Sequence, residues 1–214
     1  MYMESSHGRN VGIANFTNDC LYDTLTPAQT KDPRYRNSIN GFPCILYLND
    51  ELQGVYNFNL DRYSRRAFGY HEFGDDCLVY EISANTDSSA GAFISNSPSS
   101  GKGDKEYYAS DFMCIYPENR RMGDDSYQEI KELVEFVDLS SDEVFRDNFD
   151  AHFNKEYLIR FYLTVMCFGA VDNLGKNAKI ANFGDGRWYF QFYDCDTTLG
   201  LDKNIVQPYS NIRI

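Results

Sequence analysis

The sequence predicts a mixed fold of α-helices and antiparallel β-strands. A hairpin pattern spans residues 41–59, a helical pattern follows Pro117, and a second hairpin pattern spans residues 179–193. The spacing of the apolar residues distinguishes strands from helices, because it repeats about every 2 residues in a strand and about every 3.6 residues in a helix. A chain of 214 residues is long enough to bury a hydrophobic core as one domain of moderate size.

The first hairpin consists of two predicted strands, residues 44–48 and 55–58, joined by a polar turn at residues 49–51. Aliphatic and aromatic residues dominate both runs, and Asn-Asp-Glu supplies the turn. Farther along, residues 84–110 are rich in Ser and Gly and have no helical or strand repeat. This composition predicts a long surface loop that leaves the domain.

Three helices are predicted after Pro117. Ser126 with Glu129, and Ser140 with Glu143, each match the S-x-x-E capping box that marks a helix start. Apolar residues recur at helical spacing after the first of these starts, namely Tyr127, Ile130, Leu133 or Val134, and Val137.

The third helix has the strongest pattern. Asn154 is its predicted N-cap, Glu156 favours the first turn, and the helix ends near Gly169. A wide apolar stripe is formed by Leu158, Phe161, Tyr162, Val165 and Phe168. A stripe of this width predicts a central and largely buried helix.

The second hairpin follows a polar loop at residues 172–177. Its predicted strands, residues 179–183 and 187–193, flank the turn Gly184-Asp185-Gly186. An Asp-Gly pair between two runs rich in strand-forming residues is a strong hairpin signal, since both turn positions favour a positive φ.

Charge and hydropathy exclude several classes of protein. Acidic residues outnumber basic ones by 32 to 20, and the resulting net charge of −12 gives a polyanion no general attraction, so we expect no nucleic-acid partner. The longest apolar run, residues 161–171, is far shorter than the roughly 20 residues of a bilayer span. The first residues lack the pattern of a secretory signal peptide. Aromatic residues make up 16% of the chain, which excludes a disordered protein.

The six cysteines are scattered, without a C-x-x-C pair, and the chain has only three histidines. This pattern argues against a structural zinc site. Reduced, buried thiols in a reducing compartment are favoured over a disulfide framework, which stays open as the alternative.

Four polar residues are predicted to converge at one end of a sheet. The loop after the third helix carries Asp172 and Asn177, and the second hairpin returns the chain to Asp194 and Asp196. The spacing D-x-x-x-x-N is that of kinase catalytic loops, in which the Asp orients the substrate hydroxyl and the Asn amide holds a metal ion. Carboxylate and amide oxygens suit Mg²⁺. Turn formation after a helix is the alternative explanation of the same spacing.

Three segments resemble the CotH kinase family of atypical protein kinases. They are YLNDELQGVYNFNLDRY at residues 47–63, AVDNLGKN at residues 170–177 and RWYFQFYDCDTTLG at residues 187–200. The resemblance covers nearly the whole chain and implies a protein-kinase-like, two-lobed α+β fold. It also implies ATP and Mg²⁺ or Mn²⁺ as cofactors, and Ser or Thr of a protein substrate as the acceptor. Two further stretches, YMESSHGRN at residues 2–10 and YNFNLDRY at residues 56–63, look most similar to the branch found in phage tail or virion proteins and in related surface proteins.

The resemblance also implies roles for individual residues. Asp172 matches the catalytic Asp, and Asn177 matches the amide that binds a second metal ion. Asp194 or Asp196 matches the metal-binding Asp, with Asp194 favoured because it directly ends a strand. Lys176 is a candidate for neutralising a nucleotide phosphate, and an exposed turn lysine is the alternative.

Within this family pattern, residues 1–83 are expected to form the remainder of a truncated N-terminal lobe. Residues 84–110 form the loop, and residues 111–214 form a mainly helical lobe with the catalytic and metal-binding segments. The lysine-bearing strand of relatives would precede Tyr2, and Asn59 stands where many members have an acidic residue. These departures support an alternative, an inactive kinase-like module of a phage tail, virion or surface assembly. Arg62, Arg65 and Arg66 form a basic cluster that suits either phosphate contacts or an exposed face.

Overall fold

The computed structural model describes residues 8–21, 23–83, 93, 112–118, 127–195 and 198–199. The helices in these ranges are α1 (Arg9–Cys20), α2 (Pro27–Lys31), α3 (Gln128–Leu139), α4 (Asp142–His152) and α5 (Lys155–Phe168). The strands are β1 (Gly41–Leu48), β2 (Glu51–Asn59), β3 (Leu78–Ser83), β4 (Phe112–Tyr116), β5 (Lys176–Asn182) and β6 (Trp188–Phe192). Helices and antiparallel strands occur together, which confirms the mixed α+β class.

The strands form two separate antiparallel sheets. Among the described strands β1 pairs only with β2, whereas the larger sheet has the order β4-β3-β5-β6. Strands that precede and follow residues 84–110 therefore pair within one sheet. The division into two lobes stays a prediction.

The first hairpin is longer than the sequence predicts. β1 begins at Gly41 and β2 ends at Asn59, and the turn residues Asn49 and Asp50 both have positive φ, 51° and 65°. Asn and Asp tolerate this conformation, whose twist matches that of paired strands. Most of the large apolar side chains of this hairpin are more than 40% exposed, namely Phe42, Ile45, Leu46, Tyr47, Leu48, Leu52, Val55 and Phe58.

Two of the three predicted helix starts differ in the structure. Ser126 lies outside the described residues, and the N-cap of α3 is Tyr127, which makes no side-chain cap hydrogen bond. Ser140 is the C-cap of α3, so Ser141 becomes the N-cap of α4 and its hydroxyl accepts from the backbone N–H of Val144. The prediction of Ser140 as the second start is wrong by one residue.

The start and end of α5 are as predicted. Asn154 accepts a 3.0 Å hydrogen bond from the backbone N–H of Tyr157, and Gly169 ends the helix with a φ of 62°. The predicted burial is wrong for half of the helix, because Tyr162 and Leu163 are 50% and 53% exposed. One face packs on the sheet, and no described element covers the opposite face.

Both faces of the four-stranded sheet are buried. Side chains on one face, including Tyr80 and Ile180, pack against α3 and α5. Side chains on the other face, including Val79 and Ala181, pack against α2 and the segment around Phe68. Polar side chains that project from the second face therefore lie between packed layers.

The Ser- and Gly-rich segment lies outside the described residues except for Phe93. Its ring packs on Phe112 and Phe190, with ring centroids 5.5 and 5.9 Å apart. This residue contributes to the core, although the segment was predicted to leave the domain. No helix in the described ranges is long and apolar enough to cross a membrane.

All six cysteines lie in the described ranges, and none is in a disulfide. Cys77, Cys114 and Cys195 are buried, which agrees with the predicted buried thiols, whereas Cys167 is exposed. Burial raises the pKa of the Cys77 thiol, so this thiol stays neutral at physiological pH.

Candidate functional site

The polar loop between α5 and β5 lies at one end of the four-stranded sheet. Gly169 ends α5, and a 3₁₀ turn over Val171–Leu174 carries the backbone of Asp172. β5 begins at Lys176, and the antiparallel strand β6 ends beside this start. The residues that follow β6 therefore reach the same end of the sheet as Asp172 and Asn177.

The Asn173 side chain hydrogen-bonds to two neighbouring segments at this end of the sheet. Its side-chain amide donates to the backbone oxygen of Asn177 at 2.9 Å and to that of Tyr193 at 2.7 Å. The side chain is only 1% exposed. One buried amide thus links the turn that carries Asp172 to the start of β5 and to the end of β6.

Asn177 and Asp194 occupy neighbouring positions at the two strand ends. The backbone N–H of Tyr193, the residue before Asp194, donates to the oxygen of Asn177 at 3.2 Å. Both Asn177 and Asp194 have left-handed backbones, with φ of 52° and 58°. This conformation is open mainly to Gly, Asn and Asp among the amino acids, which explains these residue types at the two strand ends.

Cys195 and Leu199, which follow Asp194, are each hydrogen-bonded to a helix. The backbone N–H of Cys195 donates to the Asn10 side chain on α1 at 2.8 Å. The backbone N–H of Leu199 donates at 2.7 Å to the carbonyl of Phe168, in the last turn of α5. These bonds hold Cys195 next to α1 and Leu199 next to the end of α5.

The predicted site residues are described to different extents. Asn177 and Asp194 are brought together, and both are partly buried. The backbones of Asp172 and Lys176 lie in the 3₁₀ turn and at the first position of β5. Asp196 lies outside the described residues.

A second group of polar residues was not predicted from the sequence. Glu81 on β3 pairs with Lys179 on β5, which pairs in turn with Gln191 on β6. The three residues form a row across the sheet and are 5%, 0% and 0% exposed. Charged side chains are almost never buried to this extent without partners.

Tyrosine hydroxyls supply many of the partners of this polar row. Those of Tyr63 and Tyr193 donate to the two carboxylate oxygens of Glu81, the first at 2.6 Å. Tyr70 donates to the side-chain oxygen of Gln191 and accepts from the Lys179 ammonium at 3.2 Å. The row is therefore part of a hydrogen-bonded network on the face of the sheet that carries Val79 and Ala181.

Burial changes the titration of this network. It lowers the pKa of the Lys179 ammonium well below its ordinary value, and Glu81 opposes this shift. Burial also raises the pKa of Tyr70 and Tyr193, and the hydrogen bond to Glu81 adds to the shift at Tyr193. Both hydroxyls thus stay protonated and remain donors well above neutral pH.

The alternation of residues along the strands is compatible with this network but does not specify it. Glu81 lies between Tyr80 and Ile82, and Lys179 lies between Ala178 and Ile180. A single charge inside an apolar strand ordinarily points to solvent. Here a second layer covers that face of the sheet, so the same pattern places the charges inside the protein.

Comparison with known protein families identifies the class of this protein as kinase-like. A family model described as CotH kinase protein matches residues 15–212. The chain therefore belongs to the CotH kinase family. No curated protein sequence matches it significantly. The family match does not separate the phage tail and virion branch from the other branches.

The described donors fit the divalent metal ion that this family implies. Asn177 and Asp194 offer amide and carboxylate oxygens, which are the hard donors that Mg²⁺ and Mn²⁺ prefer. In the described ranges no group of three or more His, Cys, Asp or Glu could hold a metal ion. Two protein donors suit Mg²⁺, which usually keeps several waters and binds substrate phosphates.

Proposed function

We propose that this protein is an ATP-dependent protein kinase that phosphorylates Ser or Thr. The main support for the proposal is the junction of three segments that the Asn173 side chain holds together by hydrogen bonds. There, the turn with Asp172, the first residues of β5 with Asn177 and the end of β6 next to Asp194 meet at one end of a sheet. This is the order of catalytic and metal-binding segments that phosphoryl transfer uses in kinases.

Phosphoryl transfer depends mainly on how the protein positions the reactants and much less on covalent chemistry by the protein itself. Asp172 orients the acceptor hydroxyl and takes its proton while the hydroxyl oxygen bonds to the γ-phosphorus of ATP. The bond from that phosphorus to the bridging oxygen breaks, and ADP leaves. Holding the reactants in line supplies much of the rate gain in such a reaction.

Asn177 and Asp194 are the residues proposed to hold the metal ion, with Asp196 as an additional ligand. When bound, Mg²⁺ or Mn²⁺ neutralises charge on the phosphate oxygens. Lys176 is proposed to contact a phosphate from the first position of β5. The two left-handed backbones favour this assignment, since strained conformations cluster at functional sites.

A phosphotransfer assay tests the proposal. Purified protein is incubated with radiolabelled ATP, MgCl₂ or MnCl₂ and a mixture of unfolded and folded acceptor proteins. We expect label on protein Ser or Thr, and a loss of at least 100-fold in Asp172→Asn and in Asp194→Asn. Asp147→Asn, on an exposed position of α4, is the matched control and retains activity. Equal inactivity of the wild type and all variants would overturn the enzyme assignment.

A second candidate function is favoured by the first hairpin. Its apolar side chains are exposed on both faces, and Ile45 and Leu52 are each 63% exposed. An isolated two-stranded hairpin is marginally stable in water, and contiguous apolar surface marks interaction sites. The alternative is therefore an inactive kinase-like module that binds a protein partner in a phage tail, virion or surface assembly.

Nucleotide-dependent stability separates the two candidates. A ligand at 100 times its dissociation constant stabilises the native state by about 2.7 kcal/mol. We expect Mg·ATP to raise the unfolding temperature of the wild type and not that of Asp194→Asn. Absence of any shift at millimolar Mg·ATP would favour the interaction module.

A further inference from the structure

Arg62 is held more firmly than an arginine that serves only as surface charge. The Lys179 ammonium donates a 2.7 Å hydrogen bond to its backbone oxygen. Its Nη2 lies 3.4 Å from a carboxylate oxygen of Glu81 and donates to the Tyr63 hydroxyl at 2.8 Å. Both the main chain and the side chain of Arg62 are thus anchored to the buried polar row.

Two aromatic rings lie against this guanidinium. Its central carbon lies 4.8 Å from the ring centroid of Tyr63 and 4.5 Å from that of Tyr193. Arginine stacks well on aromatic rings because its charge is delocalised and weakly hydrated. The side chain is nevertheless 42% exposed, so a ligand in solvent can reach it.

The location links Arg62 to the proposed metal-binding segment. Tyr193, on which the guanidinium stacks, immediately precedes Asp194. Within the described ranges, the ion pair and the side-chain hydrogen bond of Arg62 both involve Nη2. The remaining donors of a guanidinium match the oxygens of a phosphate, which arginine binds in a bidentate manner.

We propose that Arg62 binds the phosphates of the nucleotide, with Glu81 and Lys179 as residues that position it. This inference rests on the proposed function. It assigns a further phosphate contact to an arginine that lies between β2 and β3 and is held by a carboxylate on β3. Lys179 itself is fully buried and holds the backbone of Arg62, so it serves as a support and does not contact the ligand.

Titration calorimetry with Mg·ATP on the full chain tests the role of Arg62. We expect Arg62→Gln to weaken ATP binding at least tenfold, and Glu81→Gln to weaken it to a smaller extent. Arg65→Gln is the matched control, because Arg65 is exposed in the same segment and its ion pair in the described ranges, with Glu118, is long at 3.6 Å. Unchanged ATP affinity in folded Arg62→Gln would overturn the inference and leave the proposed function intact.

A labelling experiment on the wild type avoids the risk that a variant fails to fold. Phenylglyoxal modifies accessible arginines, and mass spectrometry reports the modified fraction at each position. We expect ATP with Mg²⁺ to protect Arg62 and not Arg65, whereas adenosine protects neither. Equal modification of Arg62 with and without bound ATP would overturn the inference. If calorimetry finds no ATP binding to the wild type, the proposed function fails as well, which distinguishes the two failures.

Discussion

Asn173 donates a 2.7 Å hydrogen bond from its side-chain amide to the backbone oxygen of Tyr193, between the 3₁₀ turn and the end of β6. The same amide nitrogen also donates to the backbone oxygen of Asn177 at 2.9 Å. The three elements of the candidate site are thus joined through a residue that carries none of the proposed chemistry. Its burial makes the link expensive to remove, because the two carbonyls would lose a buried donor.

Replacing Asn173 by Leu, which has a similar size and no donor, should open this junction. We expect the free energy of unfolding to fall by about 1–3 kcal/mol, the usual cost of unsatisfied buried polar groups. Urea denaturation measures the loss, and hydrogen exchange should be faster at the Tyr193 amide. Asn148→Leu is the control, because Asn148 makes a 2.9 Å bond to a backbone oxygen on an exposed helix face. Equal losses in the two variants would contradict the special role of Asn173.

Lys179 and Glu81 should be energetically coupled. They are paired across β3 and β5 and share the tyrosine network, so removing one changes the environment of the other. We expect Lys179→Met and Glu81→Gln each to lower stability. Together they should cost at least about 1 kcal/mol less than the sum, within the range found for residues in one network. A double-mutant cycle by urea denaturation measures this coupling, and additive losses would exclude it.

The pH dependence of stability should report the buried lysine. Burial lowers the pKa of Lys179 in the folded state, whereas its ordinary value of 10.5 applies after unfolding. Between these two values the unfolded state binds more protons, so stability rises with pH. Glu81 and Asp61 oppose this shift, and Arg62 adds to it. Above pH 10 the raised pKa of Tyr70 makes stability fall with pH, because the folded state keeps a proton that the unfolded state loses. The effect of Lys179 is therefore measured below pH 10.

The measurement is the free energy of unfolding from pH 6 to 9.5 for the wild type and for Lys179→Met. We expect the wild type to gain stability relative to the variant as the pH rises. Parallel curves for the two proteins would show that Lys179 keeps its ordinary affinity for protons.

Local signals account for the parts of the fold that the sequence predicts correctly. Asn154 caps α5, and the Asn49-Asp50 turn joins β1 and β2, because each depends on residues only a few positions apart. The predicted start of α4 at Ser140 is wrong by one residue because Ser140 already ends the preceding helix, α3. The capping-box motif alone favours Ser140, because Glu143 lies three residues after it, and the motif does not show where α3 ends.

The polar row could not be predicted because it depends on pairing across long separations. Glu81 and Lys179 become neighbours only when β3 pairs with β5, almost a hundred residues later. The layer that buries them includes Phe68 and Tyr70, from a third part of the chain. In contrast, the approach of Asn177 to Asp194 follows from one hairpin, and the sequence predicts it.

The N-cap of α5 offers a separate test of local stability. Asn154→Ala removes the acceptor for the Tyr157 N–H and should lower the free energy of unfolding by about 1 kcal/mol. Asn154→Asp keeps an acceptor at the same position and should stay within about 0.5 kcal/mol of the wild type. Thermal or urea unfolding compares the two variants. If the Asp variant lost as much as the Ala variant, the side-chain bond would not be the source of the stability.

Gly69 and Gly74 form a matched pair for the layer that covers the polar row. Both have left-handed backbones, with φ of 73° and 55°. A methyl group at Gly69 would lie 2.7 Å from the Tyr35 ring and 2.8 Å from Ala28, whereas one at Gly74 meets no described atom within 4 Å.

In both alanine variants the left-handed conformation should lower the free energy of unfolding by about 1 kcal/mol. In Gly74→Ala this should be the whole loss. Gly69→Ala should lose about 1–3 kcal/mol more from overpacking. Because Gly69 directly precedes Tyr70, whose hydroxyl donates to Gln191, this loss should extend to the polar row and weaken nucleotide binding. Urea denaturation and Mg·ATP calorimetry on the two variants measure both effects. Equal stability of the two variants would show that the tight packing around Gly69 relaxes at no cost.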